Sequence, residues 1–448
     1  MRDRLKRRMF PLIASIGLLA VGVFSTTWGP TMMGAKEWVL PYDLWGTLIA
    51  GTRLAHLNFD VYAQPTGLIS LPGAAVILVP IAAVISAAGL SLQIPGPHNL
   101  HPAVWLVAGP YQMALCCVTL FAADALAEQL GVTRWKRALL AAASAGVLWN
   151  VSARWGHPED AVAVGLLLYA ILAQSRSRTA LAAWLAGAAV CVQPLVLLVI
   201  PIMLAVLPWR RMPMFLVRAA IPSVVLLGAA ALANWHNTYT AVTSQPDSPI
   251  INHPTAWTSL APHMSGGNVA AGPARLATII LACCCALAVR RRWLAMLHAS
   301  SSAPASADAG ATGAAAAGGA PVRRGAKAGG AWWPALLLAE VLWWAALALA
   351  LRSFFEPVMV SYYPWPPMAV ALIPAATLSW PRLIAAGLVA GALTAAAQGP
   401  SHDVWIWWAP IVAGLVVMLA LASPRRLLLG HIRQSGRRPL AAHGGHLT

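Results

Sequence analysis

Long apolar runs recur along the whole 448-residue chain, and only 10% of its residues carry charge. A soluble core cannot hide that much apolar surface, so the runs predict membrane spans. Thirteen stand out, near 9–27, 68–90, 104–126, 138–150, 161–174, 180–193, 195–207, 214–235, 275–289, 333–351, 367–379, 383–397 and 405–422. Several are shorter than the ~20 residues a straight helix needs to cross, and proline interrupts the stretch from Ala180 to Leu207. The first run follows MRDRLKRR and resembles a signal peptide. It is long and has no small-x-small cleavage site before Trp28, which predicts a retained first span.

The cations orient the chain. Residues 1–8, Arg134/Lys136/Arg137, Arg176/Arg178, Arg210/Arg211, Arg218, the 290–331 stretch, Arg382 and the tail from Arg425 hold 25 of the 30 Lys and Arg. Placing these inside predicts cytoplasmic termini in a plasma (inner) membrane. Lys36, Arg53, Arg154, Arg275 and Arg352 fall outside, with eight of the thirteen acids. The formal charge of +17 is therefore topological and does not signal nucleic-acid binding. Thirteen runs conflict with two cytoplasmic ends, so 68–90 or 104–126 is expected not to cross fully. The expected architecture is all-α and polytopic, with about twelve transmembrane helices and a surface helix after the first span.

The Ala/Gly/Ser-rich stretch 299–331 predicts a disordered cytoplasmic linker. It separates an N-terminal part, 1–298, from a four-span part, 332–423, and a basic tail, 424–448. The N-terminal part carries outer loops at 28–67, 151–160 and 236–274.

Cys116, Cys117, Cys191, Cys283, Cys284 and Cys285 all lie in apolar segments and read as small buried hydrophobes. Of the outer histidines His157, His236, His253, His263 and His402, none forms a short-spaced ligand pair such as HxxxH, and no phosphate-binding glycine loop is present, so no cofactor is expected and a divalent metal is not indicated.

Four polar elements stand beside the apolar runs. In the first loop, residues 43–57 have helical spacing of Leu44, Leu48, Ile49, Leu54 and Leu57, which predicts a helix along the membrane surface. Asp43 opens it, either as an N-cap or as a general base. Arg53, His56 and Asp60 follow. The second element, Arg154-Trp-Gly-His157-Pro-Glu159-Asp160, concentrates charge where a mere turn needs none. It points to substrate binding, against a local Arg154–Glu159 ion pair. The third, 236–274, is rich in the Asn, His, Thr, Ser and Trp that hold carbohydrate, all of them ordinary loop residues too. The fourth carries Arg352 and Glu356. Arg352 suits a lipid phosphate or a snorkelling helix end equally. Glu340 is expected mid-span, where a buried carboxylate is functional by default or else protonated and structural.

The stretch Asp43-Leu44…Ala50-Gly51…Leu54…Phe59-Asp60-Val61-Tyr62 resembles the first outer loop of the GT-C membrane glycosyltransferases, most of all the actinobacterial polyprenyl-phosphate-mannose-dependent mannosyltransferases. The turn Gly156–Asp160, a span, a basic turn, then Trp184-Leu-Ala-Gly187…Gln193-Pro194-Leu195 is similar to a second block of that family. Two departures stand out. Gln193 occupies the place of a Lys, and His157-Pro-Glu-Asp replaces a Gln/Asn-type turn. The resemblance implies a polyprenyl-phosphate sugar donor, a glycan or glycolipid acceptor and inversion. It implies Asp43 as the base, and Arg352, Arg154 or Arg53 on the leaving phosphate. Asp60 would bind acceptor hydroxyls or, as the lesser alternative, a metal. A transporter or lipid-linked-glycan flippase, and a non-catalytic scaffold, are the rival expectations.

Overall fold

The computed structural model describes residues 7–27, 42–64, 68, 70–92, 103–244, 246–301 and 333–424, apart from the side chains of 23–27, 42–43, 103 and 299–301. The expected linker falls almost wholly, and the tail but for its first residue, outside the described residues. So do the side chain of Asp43 and most of the loop before it. The described chain is mostly helical, and five helices are long and apolar enough to cross a membrane: 104–129, 209–233, 273–298, 335–355 and 404–422.

Helix α1 (Met9–Thr27) is followed by α2 (Tyr42–Ala55), the helix expected at 43–57. The run 68–90 forms no single helix. It breaks into α3 (Gly73–Val76) and α4 (Val79–Ala87), because Pro80 has no N–H to continue the ladder. Both are far too short to cross. The next run is continuous in length, with α5 (Ala103–Cys116) leading into α6 (Val118–Gln129). Of the two segments in conflict, 68–90 holds no helix long enough to cross among the described residues.

Helix α7 (Arg134–Trp149) ends in a π-turn, Asn150–Arg154, and α8 runs over Pro158–Ser175. Nearly every face of α8 is buried, so it is a central helix of the bundle. After α9 (Thr179–Val192), Gln193 is extended, and Pro194–Val199 forms a 3₁₀ segment leading into α10 (Ile200–Ala205). Helices α11 (Met212–Ala233) and α12 (Trp235–Thr243) follow, then a loop with strand β1 (His253–Pro254). The remaining elements are α13 (Pro273–Ser301), α14 (Ala335–Phe355), β2 (Val358–Met359), α15 (Trp365–Ala376), α16 (Trp380–Ala396) and α17 (Ala409–Ala422). One core cluster runs from Leu18 to Ala422, so the linker divides the sequence without dividing the packing.

Hydrogen bonds define one basic end of the bundle. Arg8 and Arg137 converge on buried Asp124 at 2.6 and 2.7 Å. Lys136 donates to the Leu378 carbonyl, Arg290 to those of Ala205 and Leu207, and Arg382 to that of Ala420. Glu340 is also here. It lies in the second turn of α14 and pairs with Arg292 at 2.5 Å, so it is an end-of-helix ion pair and not a mid-span carboxylate.

Helices α9 and α11 cross in close contact, since a Cβ on Gly187 would collide with the carbonyl oxygen of Ala219. Gly187→Ala is expected to cost about 1–3 kcal/mol by forcing the backbones apart. Gly146→Ala, in open space on α7, should be neutral or slightly stabilising. Thermal unfolding of the two purified variants checks the contrast.

Candidate functional site: a polar cavity at the end opposite the basic one

The turns remote from the basic end enclose a cavity of about 730 Å³. Five chain segments bring polar groups to it: the loop after α2, the α7–α8 turn, Gln193 after α9, the α11–α13 region, and the end of α14 with the chain after it.

The α7–α8 turn reverses at Gly156, whose φ of +64° suits glycine, and delivers His157 and Glu159. His157 Nδ1 lies 2.6 Å from Glu159 Oε1, both side chains buried. Two carboxylates in the first turn of α8 are favoured by the helix dipole. Asp160 is buried behind Glu159 and accepts a 2.7 Å hydrogen bond from Gln193 Nε2. Gln193, the residue departing from the Lys of the resembled pattern, thus ties the two polar blocks together.

Arg352 lies in the last turn of α14, its guanidinium carbon 3.7 Å from the centroid of the Tyr363 ring. Among the described residues its side chain makes no hydrogen bond or ion pair. Glu356 and Asp160 act on it through space. Beside it, Arg275 is committed, pairing with Glu356 and lying 3.6 Å from Asp247. The His157 and Tyr362 rings lie 4.0 Å apart. Burial holds the phenols of Tyr62 and Tyr363 above their ordinary range, so both stay neutral O–H groups.

The end of α14 is fixed from outside. Thr255 donates to the Glu356 carbonyl (2.7 Å), Trp257 to that of Phe354 (2.7 Å) and Thr258 to that of Pro357 (2.5 Å). These bonds satisfy carbonyls that a helix end leaves free. β1 pairs antiparallel with β2 next to them, and His253 stacks on Trp407 at 3.6 Å. The long loop therefore braces the segment that aims Arg352 and Glu356.

Of the residues singled out in the sequence, His157, Glu159, Arg352 and Glu356 line the cavity, and Asp160 backs it. Arg53 and Asp60 do not line it. Arg53 donates to the carbonyls of Asp60 and Gln64 at 3.0 and 3.2 Å. The Asp60 carboxylate accepts from Asn234 (3.1 Å) and Asn237 (3.3 Å), so it ties the first loop to α12. Arg154 also lies off the cavity, with its guanidinium carbon 5.9 Å from the Trp155 ring, and Glu159 pairs with His157 in place of the local Arg154–Glu159 bridge. The backbone of Asp43 is in the first turn of α2, but its side chain falls outside the described residues.

Arg275, Asp247, Tyr362 and Tyr363 were not singled out. Arg275 carried a signal, as one of five outer cations. Among the described residues no three His, Cys, Asp or Glu side chains converge to hold a metal.

Burial, reinforced by Glu356, pushes Asp247 up to about 6 against the pull of Arg275 and Arg352. The folded state then binds the proton more tightly than the unfolded chain. Stability contributed at this site is present at low pH and lost as pH rises from about 4 through 6. Asp247→Asn is expected to raise the melting temperature at pH 7.5 by about 2–4 °C, once partial exposure is discounted. At pH 4.5 the gain should fall to about a third of that; an equal gain at both values would remove the assignment.

No family model matches the chain, and no curated protein sequence matches it.

Proposed function

We propose that the chain is a membrane glycosyltransferase that moves a sugar, mannose or similar, from a polyprenyl-phosphate donor to an envelope glycan or glycolipid acceptor, with inversion. The observation that carries the reading is the composition of the cavity wall. It joins Arg352, whose guanidinium lies on the Tyr363 ring with no side-chain hydrogen bond or ion pair among the described residues, to an apolar flank that includes Leu197 and Ile279, each at least half exposed. A lipid-linked phosphate needs both: a fork of donors for the anion and an apolar side for the chain. The carboxylates and phenols around Arg352 supply acceptors and donors for sugar hydroxyls.

The likeness of the first loop to GT-C glycosyltransferases gives the reaction. The acceptor oxygen attacks the anomeric carbon while Asp43 takes its proton. The bond from that carbon to the phosphate oxygen breaks, and polyprenyl phosphate leaves with the electron pair. The phosphate gains negative charge in this step, which Arg352 is placed to stabilise. His157, Glu159, Asp247 and Glu356 would hold sugar hydroxyls. Arg53, Asp60 and Arg154 would serve indirectly, by shaping the loops.

In this reading the cavity opens on the non-cytoplasmic side and the basic end faces the cytoplasm. With 68–90 counted as non-spanning, twelve crossings remain and both termini are cytoplasmic.

The test is transfer by the purified full chain in lipid, from radiolabelled polyprenyl-phosphate sugar to an envelope lipid extract. Transfer of label to a glycan or glycolipid supports the enzyme. Movement of the intact lipid-linked sugar between leaflets, with no transfer, would establish the flippase in its place.

A further inference from the structure

The Gly187–Ala219 contact lies partway along α9 and α11, whose first residues are at the basic end. The gap between them there is a separate groove of about 570 Å³. α9 begins at this end, so its first-turn N–H groups lie beside the groove, whereas α11 continues from a 3₁₀ turn, Trp209–Arg211, whose Trp209 carbonyl takes the Met212 N–H. Arg178, Arg210, Arg211 and Arg218 line it, and no carboxylate does among the described residues.

These four arginines differ from their neighbours. Arg8 and Arg137 meet Asp124, Arg176 donates to Gln129, Arg290 donates to backbone carbonyls, and Arg292 meets Glu340. The side chains of the four in the groove have no hydrogen bond or ion pair to any described residue; that of Arg210 lies over the Trp209 ring at 5.4 Å. Four like charges around one gap repel one another, and an anion between them would relieve that repulsion. The flank is apolar and open: Leu181 and Met214 line the groove and are about half exposed, while Phe215 closes its floor.

We propose that this groove binds the phosphodiester headgroup of an anionic phospholipid, with the acyl chains lying along Leu181 and Met214. Arginine forks suit phosphate oxygens, and the open apolar flank favours a lipid over a free ion. The site is separate from the polar cavity, and the inference does not depend on the transferase reading.

Native mass spectrometry of the full chain in mixed micelles, titrated with phosphatidylglycerol or phosphatidylcholine, provides the test. The wild type should retain phosphatidylglycerol in preference. R210Q/R211Q and, independently, R178Q/R218Q should each weaken it about 25-fold, at about 5-fold per arginine. R134Q/R291Q, an equal charge change at this end but outside the groove, should leave binding unchanged. Equal loss in that control would reduce the effect to bulk charge and overturn the site. So would equal retention of phosphatidylcholine, or unchanged binding in both groove variants. Displacement by millimolar inorganic phosphate would make the groove a free-anion site and overturn the lipid assignment.

Discussion

Replacing Arg352 with Gln is expected to lower kcat/KM for sugar transfer by about 10²–10³-fold, with most of the loss in kcat. The donor phosphodiester carries one negative charge, and the leaving polyprenyl phosphate approaches two. A cation beside it therefore stabilises the transition state more than the ground state. Arg352 is suited to this because no described carboxylate binds it, whereas Arg275 is neutralised by Glu356. Arg352→Lys keeps the charge but not the planar fork, and should retain part of the activity. Steady-state kinetics on both variants, with thermal unfolding to confirm the fold, decide the matter. Wild-type kcat/KM in a folded Arg352→Gln protein would remove phosphate stabilisation from this residue.

Asp43→Asn is expected to abolish measurable transfer, a loss of about 10²–10⁴-fold, while donor binding persists. The amide nearly matches the carboxylate in shape and can still accept a capping hydrogen bond, but it cannot take the acceptor's proton. The experiment thus separates the two readings of Asp43. If the residue only caps α2, Asn should be almost as good and activity should survive. Glu159→Gln belongs alongside, because Glu159 is the cavity carboxylate held by His157. Loss with Glu159→Gln and survival with Asp43→Asn would move the base to the α7–α8 turn.

Much of the architecture was legible because hydrocarbon imposes a simple rule on helix length and charge. The five long apolar helices coincide with runs visible in the sequence, and α2 follows the leucine spacing of 43–57. The break at 68–90 was harder to see, since its residues are apolar throughout. Only Pro72, Gly73 and Pro80 mark it, and Gly73 has a tertiary reason, its backbone packing against the Cys191 carbonyl. For the site, ionisable residues at the ends of apolar runs identified His157, Glu159, Arg352 and Glu356. The same logic picked out Arg53 and Asp60, which lie off the cavity and bond to backbone carbonyls and asparagine amides. Spacing along the chain cannot tell a brace from a binding group. Nor could it single out Asp247, an acid in a polar loop until folding buries it beside Arg275. Glu340 shows the reverse error, a carboxylate in an apolar run that ends in an ordinary ion pair.

The half-exposed Leu197 and Ile279 on the cavity flank make the surrounding solvent part of the site wall. In a bilayer, that wall would be acyl chain. A ligand arriving through it would meet the protein at the concentration set by its mole fraction among lipids, whatever its amount per volume of water. Diluting the lipid-linked donor with inert lipid would then act as lowering its dose, and adding buffer would not. Hydrocarbon-soluble compounds would compete at this flank even when nearly absent from the aqueous phase.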